Sequence, residues 1–222
     1  MNELIFLLHA SALSLFLLIA LRMGKEALIA LISLYGILAN LFVTKQITLF
    51  GLGATASDAF AVAAILGLNL LQEYFGTAIS KKAIWICFMS LVAYTAATQL
   101  HLAYMPSSFD ITHGHFCALL EVMPRITFAS IFTFFIVQQI DRWLYGILQN
   151  KFGTRYFVLR NYASLAFSQL IDTILFSFLG LFGVVENIAS IILVSYMIKM
   201  LATFLTTPWL ILSKYIAPRL TK

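Results

Sequence analysis

Long apolar stretches separated by short polar clusters dominate the chain, and most are long enough to cross a bilayer as helices. The first runs from about Leu4 to Leu21 and the second from Ala27 to about Thr48, with Asn40 and Lys45 in its outer half. Ala54 to Gly76 forms a third and Ala83 to Tyr104 a fourth, followed by a polar loop from Met105 to Cys117. A fifth extends from Ala118 to about Ile140, and the longest connection, basic in character, lies between Arg142 and Arg160. Asn161 to Phe182 is the sixth, Gly183 and Asn187 mark a tight turn, and Ile188 to Ser213 is the seventh. The first stretch lacks a basic leader and a small-residue cleavage site, and Arg22 and Lys25 follow its apolar core, so it reads as a retained span. The pattern predicts an all-α protein, a polytopic transmembrane bundle of seven helices.

Composition agrees, with 62% hydrophobic residues, 10% charged residues and a mean hydropathy of +0.96. A water-soluble domain of this length would expose more apolar surface than water tolerates. Residues 1–222 leave no room for a soluble domain beside these spans, so a single integral membrane domain is expected. The segments do not alternate in polarity as barrel strands do. Of the fourteen Lys and Arg, three (Lys45, Arg125 and Lys199) lie inside spans. The other eleven (Arg22, Lys25, Lys81, Lys82, Arg142, Lys151, Arg155, Arg160, Lys214, Arg219 and Lys222) fall in every second loop or in the C-terminal tail. That distribution predicts an N-terminus outside and a C-terminus in the cytoplasm. The net charge of +5 then reads as topology and contact with anionic lipid, and nucleic acid is not an expected partner.

Ionisable side chains inside apolar spans carry the candidate chemistry, because each needs a partner, a proton or water. Asp172 lies ~16 Å along the sixth span, near mid-bilayer, and shares one helical face with Asn161 and Ser168. Lys199 reaches nearly the same depth from the seventh span, so the two can pair. One reading is a structural ion pair that lets two helices coexist in lipid. The other is a pair lining a polar cavity, favoured by the neighbouring Ser164, Gln169, Thr173, Ser195 and Thr206. Arg125 stands roughly 10 Å into the fifth span, after Pro124, where it either snorkels outward or faces inward on the side of Gln139. In the third span, Asp58, Asn69 and Glu73 form a polar stripe expected to face a cavity, beside a small-residue ridge of Ala59, Ala63 and Gly67 expected to pack a neighbouring helix. Asp58 also suits a helix N-terminus, and Glu73 is within reach of Lys81 or Lys82.

Other signals are weaker. His113, His115, Cys117 and His101 do not have the spacing of a tetrahedral metal set. Cys87 and Cys117 belong to opposite ends of the expected bundle, too far apart for a disulfide. Zinc-protease, serine-hydrolase and phosphate-loop motifs are absent from the sequence, so neither an enzyme nor a cofactor is expected.

Four segments, taken in order, resemble the queuosine precursor transporter family of small integral membrane proteins. They are Asn69-Leu70-Leu71-Gln72-Glu73-Tyr74-Phe75-Gly76, then Arg125 with Ala129-Ser130 and Gln138, then Ser168-Gln169-Leu170-Ile171-Asp172-Thr173, and last Tyr196-Met197-Ile198-Lys199 with Thr207-Pro208. The resemblance covers about Leu31 to Leu212. It implies a six-span transporter core over residues 27–213, with the span at 4–21 as an addition. It further implies a protein of the bacterial inner membrane that imports a 7-deazaguanine base, a queuosine precursor or queuine, for salvage into tRNA. For such a ligand, Asp172 or Glu73 would accept the paired N–H donors of a guanine-like edge. Arg125, Asn40, Asn69 and Gln169 would serve its acceptor edge, and Tyr35, Phe42 or Tyr196 would stack on the ring. Ser168 and Lys199 complete the candidate substrate-binding set. Two other classes stay open: a membrane subunit that binds substrate for a separate ATP-driven module, and a structural or assembly protein.

Overall fold

A computed structural model describes the backbone of residues 1–152 and 157–216, with side chains throughout 1–137 and 166–201 and at scattered positions beyond. Helix α1 (Asn2–Met23) and α2 (Lys25–Phe42) are joined at Gly24, whose φ of 114° reverses the chain in one residue. Strands β1 (Gln46–Leu49) and β2 (Leu52–Thr55) pair antiparallel and lead into α3 (Asp58–Phe75). Then come α4 (Thr77–Leu102), α5 (His113–Leu120), α6 (Met123–Phe152) and α7 (Phe157–Phe176). A π-helical turn over Ser177–Leu181 extends α7, and α8 (Ile188–Ile216) ends the described chain.

The all-α expectation holds, with three local corrections. The second span does not continue to Thr48, because α2 stops at Phe42 and Lys45 lies outside it. Ile47, Thr48 and Thr55 are β-branched, and Phe50 and Gly51 take positive φ values of 52° and 78°, which suits a tight hairpin turn better than a helix. The fifth span, which extends over His113–Val137, has a break in its helix at Glu121–Val122, so Arg125 lies within the span but in the first turn of α6. Beyond Ile140, α6 continues to Phe152 through half of the expected basic connection. The side chains of Gln138, Asn161, Ser164, Thr206, Thr207 and Pro208 are outside the described residues.

Between helices in lipid the hydrophobic effect drives little, so close packing and polar contacts must hold the bundle. Gly67 shows how: a Cβ there would lie 2.6 Å from Ile32 and 3.1 Å from Leu17, so α3 touches both α1 and α2 through a bare backbone. Ala59 and Ala63 complete that ridge and are fully buried. Gly36 does the same for α2 against Cys87 of α4. Leu17, Leu18, Leu21, Leu28, Leu66 and Leu70 fill the space around the ridge, so α1 is part of the core.

Polar contacts identify the two ends. Asn2 Nδ2 donates to Thr48 O at 2.9 Å, the Phe50 amide donates to Glu3 Oε1 at 3.0 Å, and the Glu186 amide donates to Gln46 Oε1 at 3.2 Å. These place the N-terminus, the hairpin and the 182–187 turn together. Tyr74 and Ser213, hydroxyl to hydroxyl at 2.7 Å, join α3 and α8 at the other end. Four described stretches, Asn2–Met23, Lys25–Phe42, Thr77–Leu102 and His113–Val137, are long and apolar enough to cross a membrane. The 166–181 and 188–201 stretches are apolar but shorter.

Candidate functional site

A cavity of about 240 Å³ opens between α2, α3, α4, α6, α7 and α8. Its polar side comes from Asn40, Asp58, Ser130, Thr133, Asp172, Thr173, Ser195 and Lys199, and Phe88, Phe134 and Phe176 supply aromatic surface. The helical repeat explains part of this list. Asp172 and Phe176, and Thr173 and Ser177, are four apart on α7 and its π turn, and Ser195 and Lys199 are four apart on α8. Ser130 and Thr133 stand three apart on α6 and face the same space.

Hydrogen bonds fix most of these groups. Lys199 Nζ meets Asp172 Oδ2 at 2.6 Å and Thr173 Oγ1 at 3.2 Å, and Thr173 in turn donates to Gln169 O at 2.8 Å. The pair is not sealed, since the Asp172 side chain keeps 28% of its exposure and that of Lys199 15%. Ser195 Oγ donates to Asp58 Oδ2 at 2.9 Å, and Asp58 itself is only 4% exposed. Asn40 Nδ2 donates to Gly36 O at 2.8 Å and its Oδ1 accepts from Ser130 at 2.6 Å. Thr133 Oγ1 is buried and has no partner among the described residues.

The chemistry of such a space is recognition. Carboxylates accept N–H donors, the ammonium and hydroxyls donate to ring nitrogens or carbonyls, and the phenyl rings offer flat faces. Its volume is at the small end of ligand sites, which suits a small planar guest. No group of three or more His, Cys, Asp or Glu able to hold a metal occurs among the described residues.

Comparison with known proteins bears on what that guest is. The family described as "Putative vitamin uptake transporter" matches residues 55–213, well over half of the chain. The chain belongs to that family. A Bacillus subtilis (strain 168) relative named "Probable queuosine precursor transporter" is 30% identical over 198 residues, 88% of this chain and 86% of the relative. No solved structure matches the chain. Membership makes this a multi-pass membrane transport protein and not an enzyme.

Within the family's matched stretch, the expected site residues divide. Asp172 and Lys199 line the cavity together, as does Asn40 from outside the match. Ser168 is buried in α7 away from the cavity lining, and Gln169 contributes its backbone oxygen to Thr173. Asn69 and Glu73 are exposed on α3, because eleven and fifteen residues beyond Asp58 place them ~16 and ~22 Å along the helix, past the cavity. Arg125 turns its guanidinium to the backbone beside the π turn: Nε donates to Leu179 O and an Nη to Phe182 O, both at 2.8 Å. Tyr35 donates to Leu13 O, and Phe42 stacks on Phe60, so neither ring lines the cavity. Tyr196 is absent from the lining as well.

Sequence reasoning did not single out Thr133, Phe88, Phe134 or Phe176. Ser130 and Thr133, polar at i and i+3 in an apolar run, carried a usable signal. The phenylalanines carried none, since a lining Phe and a lipid-facing Phe look alike in sequence.

Proposed function

We propose that this protein imports a queuosine precursor or queuine, a 7-deazaguanine base, across the bacterial inner membrane for salvage into tRNA. In this reading residues 1–222 form one membrane domain, with the N-terminus outside and the C-terminus in the cytoplasm. The observation that carries it is the Asp172–Lys199 pair facing a cavity sized for one small planar guest. The relative's name supplies the class of guest.

The guanine-like edge of such a base presents an N–H and an exocyclic amine side by side, a donor pair that one carboxylate accepts in bidentate fashion. Asp172 is suited to that role, and Lys199, displaced from the carboxylate, is then able to donate to the carbonyl of the guest. Exchanging an internal ion pair for pairing with the ligand keeps both charges compensated. Phe88, Phe134 and Phe176 replace water over the ring faces.

Expression in a bacterium that neither makes nor imports these bases, followed by assay of queuosine in its tRNA, tests the reading. The wild type restores queuosine when the base is supplied. Asp172→Asn, which keeps size and removes charge, abolishes that restoration with the amount of membrane protein unchanged. Normal restoration by the variant refutes the role of Asp172. Uptake by the purified protein in vesicles free of ATP separates a self-sufficient carrier from a subunit of an ATP-driven one.

A further inference from the structure

Most hydroxyls that line the cavity are already committed within the protein. Ser130 donates to Asn40 Oδ1 at 2.6 Å, Ser195 to Asp58 Oδ2 at 2.9 Å and Thr173 to Gln169 O at 2.8 Å, while Thr55 and Ser57 bond one another at 2.8 Å. Thr133 differs. Its Oγ1 is buried without a hydrogen-bond partner among the described residues, on a cavity-lining residue 1% exposed. A helical threonine can turn its hydroxyl back onto the carbonyl one turn earlier, as Thr95 does to Leu91 O at 2.9 Å. Thr133 does not, so its polar atom is left for something that enters the cavity.

Ser177 stands at the same level on the neighbouring helix. Arg125 reaches Phe182 O, and one turn further along α6 a Cβ on Gly180 would lie 3.3 Å from that of Ala129, so α6 and α7 pass each other in opposite directions. One more turn brings Thr133 level with Phe176 and Ser177. Ser177 is 2% exposed, lines the cavity and makes no side-chain hydrogen bond among the described residues. The α6–α7 side of the cavity thus carries two uncommitted neutral hydroxyls, whereas Asp172 and Lys199 supply the charged station. Ser177 lies five residues beyond Asp172, ~7 Å along the helix, so a guest that touches both must lie lengthwise between them.

We propose that Thr133, with Ser177 beside it, is the specificity-determining contact for the second polar edge of the guest, the one remote from Asp172 and Lys199. With the donor pair of a guanine-like base on Asp172 and its carbonyl on Lys199, the polar atoms left on the ring system are a ring nitrogen and the adjacent pyrrole N–H. These are an acceptor and a donor side by side. A hydroxyl both donates and accepts, so the two hydroxyls satisfy that pair without a charge. The inference rests on the transport reading above and adds to it a second recognised edge and the residues that recognise it.

Vesicles containing the purified full-length protein are loaded with labelled 7-cyano- or 7-aminomethyl-7-deazaguanine, whichever the wild type takes up, against unlabelled competitors of one shape. These are 7-deazaguanine, its analogue with the remote ring nitrogen replaced by C–H, and its analogue with the pyrrole N–H replaced by oxygen. The wild type is expected to bind each analogue about 10-fold more weakly than the parent, the scale of one hydrogen bond to a buried group. In Thr133→Val with Ser177→Ala both ratios fall to within about 3-fold of unity. Discrimination against the base that lacks the exocyclic amine, read at the Asp172 edge, stays at its wild-type value, and Thr133→Ser, which keeps the hydroxyl, keeps all the ratios. Where the double variant does not reach the membrane, Thr133→Val alone must lower at least one analogue ratio. Equal binding of parent and analogues by the wild type, or unchanged ratios in the variants that lack the hydroxyl, overturns the proposal. Uptake of neither labelled base by the wild type overturns the transport reading itself, and the two failures are therefore distinct.

Discussion

Lys199 and Arg125 are both cations in apolar helices, and the bundle accommodates them in opposite ways. Lys199 turns toward the cavity and meets a carboxylate at 2.6 Å. Arg125 is exposed and gives its donors to two backbone carbonyls, Leu179 O and Phe182 O. A π turn leaves carbonyls without their ordinary i+4 donors, and a guanidinium fork is well shaped to satisfy two of them. Charge in a span therefore does not by itself mark a binding residue. The partner does: a side chain paired with backbone is committed to structure, whereas one paired with another side chain can exchange that partner for a ligand.

The strongest way to break this comparison is to remove one member of the cavity pair. Lys199→Met leaves Asp172 and Asp58 facing one space with no compensating ammonium, and it should destabilise the protein by about 3 kcal/mol, the low end for a broken buried pair because water reaches this one. Adding Asp172→Asn to Lys199→Met should recover most of that stability without restoring uptake. Thermal unfolding in detergent measures the first effect and vesicle uptake the second. Recovery of transport in the double variant would reduce the pair to a structural device.

Arg125→Ala is the complementary test. Two hydrogen bonds from a charged donor are lost, and with solvent nearby the expected cost is about 1–3 kcal/mol. Apparent KM should stay within about 2-fold of the wild type, because Arg125 does not line the cavity. A large rise in KM at unchanged stability would place Arg125 with the ligand and erase the contrast with Lys199.

The all-α membrane class was legible because the length and apolarity of the spans are one-dimensional signals. The hairpin at 46–55 was not, since four-residue strands within an apolar stretch lack the length that periodicity needs, and only Gly51 and the β-branched residues mark it. Asp172 with Lys199 was legible from equal depth on consecutive spans. Asn69 and Glu73 show the limit of a helical wheel, which reports direction and not distance along the axis: they share a stripe with Asp58, yet the cavity includes Asp58 alone of the three. Arg125 failed to read for a different reason, because the π turn that it serves belongs to another helix and has no sequence signature.

Thr133→Val sharpens the comparison from the neutral side. The substitution is nearly isosteric and deletes a buried hydroxyl that has no partner among the described residues, so stability should be unchanged or higher by up to about 1 kcal/mol. If that hydroxyl is kept for the guest, apparent affinity falls roughly 3- to 10-fold while the amount of folded protein does not. The opposite outcome, lower stability at full affinity, would make Thr133 a packing residue of α6.

The smallest effect is expected at Asp110, the acidic counterpart of Arg125 as a charge committed to backbone. Its Oδ1 accepts from the Thr112 amide and hydroxyl, both at 2.8 Å, and from the His113 amide at 3.2 Å, which holds the chain at the start of α5. Those donors, the Thr112 amide first, keep the carboxyl below the usual aspartate range. The folded loop thus favours the ionised form, so its contribution is complete above the unfolded pKa and is lost as pH falls through the lower folded one. Hydrogen exchange at Thr112 and His113, compared between wild type and Asp110→Ala at each pH, should show protection by Asp110 near neutrality that fades only well into the acid range. Uptake by Asp110→Ala should match the wild type at neutral pH, because this loop carboxylate does not line the cavity and what it orders is one helix start.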